Sequence, residues 1–270
     1  MRLTPLLACA AASAATALPA SAAYVLVDDF EDLTVGNTLK ATNGYDGNSN
    51  STSVTVIADT DGGDQAINVT GPQGETNIGK DLPFGGVEDG TTGTLFLQMR
   101  VSEATTTDQN FVFSLGNSTS FFGNALAFKL RANTPGDPTR VSLENAEGVA
   151  GGVGVLPGVT YDVYAVIDNP AGPDGSLDLY LQSDADPTFA SLTQVYAAED
   201  FTKPFGGSPA NTADITRFAF NKFNGSNLVV DNVYYDDAGV NLTNPIPEPG
   251  TLGLAAAGLA AFALRRRKTA

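Results

Sequence analysis

Residues 160–182 read TYDVYAVIDNPAGPDGSLDLYLQ. Two runs, 160–168 and 177–182, flank the turn tripeptide Pro173-Asp174-Gly175, which suits a tight connection between strands. In the second run Leu177, Leu179 and Leu181 alternate with Asp178, Tyr180 and Gln182. A period of two sends alternate side chains to opposite faces of a sheet. The same alternation recurs upstream, where Leu95, Leu97, Met99 and Val101 share one face and Phe96, Gln98 and Arg100 the other. Further runs lie at 24–30, 53–58, 66–70, 110–116, 125–131, 140–144, 215–222 and 227–235, with 93–101 containing the second example. Asp61-Gly62-Gly63, Pro135-Gly136-Asp137-Pro138 and Asn224-Gly225-Ser226 provide more turns. The sequence shows no heptads, no long amphipathic helix and no internal repeat. About eleven strands in roughly 215 residues predict one all-β domain over 24–240, a two-sheet antiparallel sandwich.

Composition agrees. The chain has 270 residues, with 29 Gly, 15 Pro and only 16% charged residues, a profile of extracellular β proteins. Histidine and tryptophan are absent. Ser-His-Asp and Cys-His catalysis are therefore excluded, and the commonest transition-metal ligand is missing. The single cysteine, Cys9, lies in the N-terminal segment, so the domain itself carries no disulfide and no thiolate site. The formal charge is −16. Five of the fourteen basic residues lie in the two terminal segments, and the remainder up to residue 246 holds nine basic and 29 acidic residues, a net −20. Such a domain repels phosphate backbones, so nucleic acid is not expected as a partner. Divalent cations and neutral polymers fit better.

Both ends read as processing segments. Met1-Arg2 begins a short basic region, residues 3–18 are apolar, and Pro19-Ala20-Ser21-Ala22-Ala23 offers small residues for a signal peptidase. Cleavage after Ala22 and after Ala23 both fit, and 1–23 is assigned as signal peptide. The C-terminal segment 245–270 reads PIPEPGTLGLAAAGLAAFALRRRKTA. After its prolines come fourteen uncharged, helix-prone residues, 251–264, and then Arg265-Arg266-Arg267-Lys268. A helix of that length reaches ~21 Å, short of a ~30 Å hydrocarbon core. The basic cluster stays cytoplasmic by the positive-inside rule. Residues 241–246 read as a linker to this tag.

The order Pro247-Glu248-Pro249, apolar run, Arg265-Arg266-Arg267 resembles the PEP-CTERM sorting signal of Gram-negative bacteria, over 247–268. The resemblance implies processing by an exosortase, transient anchoring in the inner membrane, delivery to the outer cell surface or extracellular matrix, and association with exopolysaccharide or biofilm. Residues 161–169 with 177–181, the stretch Leu228-Val229-Val230-Asp231-Asn232-Val233-Tyr234-Tyr235 and the opening Asp28-Asp29-Phe30-Glu31 are similar to the central hairpin, closing strand and first strand of concanavalin A-like or laminin-G-like jelly rolls. A galactose-binding-like jelly roll reads much the same.

Four constellations bear on chemistry. Asp59-Thr60-Asp61-Gly62-Gly63-Asp64 is rich in the oxygen ligands Ca²⁺ takes, but as an EF-hand it has Asp64 where Gly is needed and Thr70 where a bidentate Glu is needed. Jelly-roll carbohydrate-binding modules hold a structural Ca²⁺ between first and last strands, and the resemblance places Asp29, Glu31 and Asp231 at that site. Asp231 shares the face of Val229 and Val233 by period-two counting, so when buried it needs a partner; a metal or backbone donors would serve. Glycoside hydrolysis requires two carboxylates, but the Glu-x-Asp-x-x-Glu strand of laminarinase-like jelly rolls is absent, with Glu144 and Glu147 lacking the intervening Asp, so no catalytic residues are assigned. For sugar stacking, Tyr45, Phe121, Phe122, Tyr164, Tyr180 and Phe205 are the aromatic candidates. Phe121 and Phe122, adjacent in a polar loop, are the predicted ligand contact. The expected function is an exopolysaccharide-binding surface protein. The alternatives are a structural surface protein without ligand and a glycosidase-like enzyme.

Overall fold

The computed structural model describes residues 23–40, 42–47, 54–59, 64–69, 76–101, 111–117, 124–131, 139–145, 152–171, 174–202, 214–222 and 228–246. The signal segment and the C-terminal apolar helix expected from the sequence lie outside these residues. The strands are β1 (Val25–Asp28), β2 (Asp46–Gly47), β3 (Val54–Ala58), β4 (Gln65–Val69), β5 (Thr76–Asp81), β6 (Thr91–Val101), β7 (Phe111–Gly116), β8 (Asn124–Arg131), β9 (Val141–Asn145), β10 (Val153–Val155), β11 (Thr160–Asn169), β12 (Asp174–Gln182), β13 (Thr193–Thr202), β14 (Arg217–Lys222) and β15 (Leu228–Asp236).

They form an antiparallel jelly-roll sandwich of two sheets. One has the order β13-β12-β11-β6-β15-β4-β3, with β1 also on β15; the other has the order β10-β9-β8-β7-β14-β5-β2. The predicted hairpin is β11–β12, paired from Asp162↔Gln182 to Asp168↔Ser176. Leu177, Leu179, Leu181, Leu95, Leu97, Met99 and Val101 all reach the core between the sheets, as the alternation requires. They meet Ile78, Leu115, Leu143, Phe218 and Phe220 from the other sheet.

Four strands escape the sequence pattern. The two-residue β2 and three-residue β10 are too short to show a period. β5, TNIGKD, has one large apolar side chain, Ile78, and owes its strand to ladders with β14 and β2. β13 departs from even alternation because its pairing with β12 shifts register around Leu179.

A further departure bears on function. β15 pairs with β6 along one edge and divides the other between β4, at Leu228–Val230, and β1, at Val233–Tyr235. A bulge marks the handover, with Asn232 at φ 51°, a left-handed conformation that asparagine tolerates. Period-two counting puts Val229, Asp231 and Val233 on one face. Instead the extra residue turns Val233 into the core beside Val230, while Val229 and Asp231 stay on the outer face.

With no disulfide, two buried ion pairs tie the layers together. Lys80 of β5 reaches across to Asp28 of β1 (Nζ–Oδ2 2.8 Å), donates to the Val27 carbonyl and lies 5.1 Å from the Tyr45 ring centroid. Asp28 also accepts from the backbone N–H of Phe30, a buried residue at φ 62°. At the other end Arg140, just before β9, makes a two-pronged pair with Asp186 (2.7 and 2.9 Å), and the Tyr161 hydroxyl of β11 donates to the same carboxylate at 2.8 Å.

Candidate functional site

The register of five strands composes the outer face of the larger sheet. Tyr180 of β12 lies opposite Tyr164 of β11, which lies opposite Phe96 of β6, then Tyr234 of β15 and Leu26 of β1. Four rings from four strands thus form one row across the sheet. Phe96 and Tyr164 meet edge to face with centroids 5.0 Å apart, and Tyr234 and the N-terminal Tyr24 pack on Phe96 at 6.1 and 6.2 Å. Two residues along the strands runs a polar row, Gln182, Asp162, Gln98 and Asp231. Beyond it stand Thr160, Arg100, Val229 and Asn68.

The polar row is internally bonded. Gln98 donates to Asp162 (3.0 Å) and accepts from the Asn232 amide (3.0 Å). Asn232 also donates to Asp231, from its backbone N–H at 2.7 Å and its side chain at 2.9 Å. Arg100 pairs with Asp59 from the end of β3. Asp59, Gln98, Arg100, Thr160, Val229 and Asp231 together line a shallow depression. Burial pushes the Asp231 carboxyl up to about 7; the Asn232 N–H opposes the shift, and Asp59, Asp64 and Glu31 add to it. Asp162 is also raised, mainly by burial, against the donated bond from Gln98.

The chain's last described stretch lies across this face. After β15, the Thr94 hydroxyl donates to the Gly239 carbonyl (2.7 Å) and accepts from the Asn241 N–H (3.0 Å). The Asn241 side chain donates to Asp236 (2.7 Å), and its carbonyl accepts from the Tyr24 hydroxyl. Asn244 then donates to Asp162 at 2.9 Å. Thr94 and Asp162 stand on either side of the Phe96–Tyr164 row, so the segment crosses the rings between them; Phe96 and Tyr164 are 0% and 1% exposed. Residues 241–246, expected as a linker, are thus part of the domain's outer layer.

The sequence-predicted site residues are placed as follows. Asp29 accepts from the Glu31 N–H, and Glu31 accepts from the Gln65 N–H through its carboxylate and from the Gln65 side chain through its carbonyl. Glu31 is near enough to Asp231 to raise its pKa, but among the described residues no three carboxylates gather to hold a metal ion. Tyr45 is buried in the core, Tyr164 sits beneath the crossing segment, and Tyr180 is half-buried at the end of the ring row. Phe121, Phe122, Phe205 and the sorting residues Pro247, Glu248, Pro249, Arg265, Arg266 and Arg267 lie outside the described residues. Sequence reasoning missed Gln98, Arg100 and Asp162 as site residues. Their signal was polar side chains alternating with core positions in two central strands.

Residues 245–268 match the PEP-CTERM protein-sorting motif. The motif implies export and membrane-associated sorting with processing by an exosortase. No helix among the described residues is long and apolar enough to cross a membrane. No curated protein matches the chain. Among solved structures, the chain is similar to the catalytic domain of a GH131 beta-glucanase from Podospora anserina (15% identity, 82% of this chain and 100% of that one, TM-score 0.49). It is similar also to the alginate lyase Aly36B (15% identity, 81% and 98%, TM-score 0.44) and to peanut lectin (11% identity, 76% and 96%, TM-score 0.43).

Proposed function

We propose that this is an exported, exosortase-sorted protein of the cell surface or extracellular matrix, and that the outer face of its larger sheet holds exopolysaccharide without cleaving it. The partly exposed members of the two rows, Tyr180, Tyr234, Gln182, Asp162 and Gln98, carry this reading, while Phe96 and Tyr164 lie beneath the crossing segment. Sugars offer apolar C–H faces and equatorial hydroxyls, which flat rings next to amide and carboxylate groups complement. Tyr180 and Gln182 are the half-buried members at the β12 end. The net charge of the domain favours a neutral polymer over an acidic one.

Catalysis is not part of the reading. Asp59 is engaged by Arg100 and Asp231 by Asn232, which supports a binding reading over a catalytic one. The test is binding of residues 24–246 to a glycan array that includes the host's own matrix polysaccharide, alongside Tyr180→Ala and Gln182→Ala. Retention by the parent protein, weakened at least about fivefold in Tyr180→Ala as expected for losing one stacked ring, supports the proposal. No binding to any polysaccharide favours a structural protein without ligand. Sugar release from a β-glucan panel, abolished by Asp231→Asn, would make it an enzyme.

A further inference from the structure

The docked segment and the sorting motif adjoin in the sequence. Asn244, tied to Asp162, is three residues before Pro247. The Asn244 side chain also accepts from the Ile246 N–H at 2.8 Å, closing a tight turn immediately before Pro247. A second turn of the same kind forms at Asn241, whose side-chain oxygen accepts from both the N–H (3.1 Å) and hydroxyl (2.6 Å) of Thr243. The chain from 239 to 246 is therefore held by Thr94, Asp236, Asp162 and Tyr24 and folded into turns of its own.

Enzymes that cut or transfer peptides take their substrates extended, with several residues before the scissile bond lying along the active site. A chain turned at Asn244–Ile246 and pinned to a sheet does not offer that shape. We propose that this segment holds the sorting motif back from its processing enzyme, so that the folded domain sets the rate of its own sorting. The enzyme acts on the fraction of molecules in which the segment has peeled away, and its apparent affinity falls by that fraction. The inference rests on the sorting half of the proposed function and is independent of polysaccharide binding.

The test follows processing of the full chain in its own host by pulse-chase, comparing the wild type with Asn244→Ala, Asp162→Asn, and an insertion of six Gly/Ser residues between Ile246 and Pro247. Asn244→Ala removes both the bond to Asp162 and the turn bond from Ile246; with one net hydrogen bond worth roughly a factor of five to ten, it is expected to be shortened at least about that much faster. Asp162→Asn has one acceptor oxygen for two donors, Gln98 and Asn244, so its rate is expected between those of the wild type and Asn244→Ala. The insertion adds ~20 Å of reach. It should speed processing by itself and abolish any further gain from Asn244→Ala. Asn244 lies on the surface segment, so equal melting temperatures separate release of the motif from unfolding of the domain. Wild-type rates in both Asn244→Ala and the insertion overturn the proposal, and slower processing shows that docking presents the motif. A wild-type chain that is never shortened overturns the sorting reading, and this inference with it.

Discussion

Asp186 is the most consequential single side chain to remove. It is fully buried, and its carboxylate accepts two bonds from Arg140, one from the Tyr161 hydroxyl and one from the Thr188 N–H. Asp186→Ala leaves the Arg140 guanidinium, whose side chain is only 18% exposed, without its carboxylate, and the short 3₁₀ turn at Pro187–Phe189 without its cap. Deleting one partner of a buried pair costs about 3–5 kcal/mol, with the low end appropriate because Arg140 reaches partly to solvent. The lost cap adds ~1 kcal/mol, for a sum near ~4 kcal/mol. In a domain of this size 1 kcal/mol moves the midpoint by ~2–4 °C, so the variant should melt ~8–16 °C lower. Circular dichroism is the suitable probe, since the chain has no tryptophan. The pH dependence supplies a second check. Hydrogen bonds from Arg140 hold the Asp186 carboxyl below the usual carboxylate range. A depressed folded pKa gives stability that is present above the unfolded value near ~4 and lost as pH falls below it. The gap between parent and variant should therefore narrow below pH ~4. A deficit under ~1 kcal/mol, or one that does not change with acid, would show that the pair contributes no more than a surface contact.

Other perturbations address other parts of the structure. Asp231 has its folded pKa raised, to about 7, so its contribution is complete below ~4 and is lost as pH rises through 7. Asp231→Asn should accordingly be more stable than the parent at pH 8, by on the order of 1–4 kcal/mol, and indistinguishable at pH 4; superimposable pH profiles refute the burial argument. Gly86 sits at φ 82°, and an added Cβ would lie 2.1 Å from the Ile215 carbonyl oxygen, where the backbone of Val87 bridges Ile215. Gly86→Ala should cost at least ~2 kcal/mol in urea unfolding, and a neutral result would mean that this crossing shifts freely. EDTA should leave the melting temperature unchanged, because Asp29 and Glu31 accept from the Glu31 and Gln65 N–H groups and, among the described residues, do not gather with Asp231 into a set of three. A rise of several degrees with Ca²⁺ would instead show these carboxylates regrouping around a cation.

The hairpin β11–β12 and the strand β6 were legible because the large aliphatic residues of β12 and β6 alternate and the hairpin's turn carries Pro, Asp and Gly. The sorting motif was legible for a different reason: it is read as linear sequence and needs no fold. What stayed hidden depends on three-dimensional register. The ring row takes one residue from each of four strands, and only the register aligns Tyr164 and Tyr180 of the hairpin with Phe96 and Tyr234, 68 and 54 residues away from them at the nearest. The pair Arg140–Asp186 joins residues 46 apart on different layers, and Lys80–Asp28 joins residues 52 apart. Asp231 was placed on the correct face, but Val233 was not, since a single positive φ at Asn232 resets the count beyond it. The docking of Asn241 and Asn244 was hidden by composition: Asn, Thr and Pro suit a free linker as well as an Asx-turned layer.

β15 has a consequence for how the protein leaves the cell. This strand lies between β6 on one side and β4 and β1 on the other, yet it is the last strand among the described residues. Val101 of β6 must wait for Leu228, its partner more than a hundred residues later. Before then the larger sheet is in three parts, with β1 unpaired, β3 on β4, and β6 joined to β11, β12 and β13. Pairings so distant in sequence form late and slowly. A chain threaded from its N-terminus thus remains incomplete until almost all of it has crossed, and the closing of the sheet coincides with the arrival of the residues that carry its address.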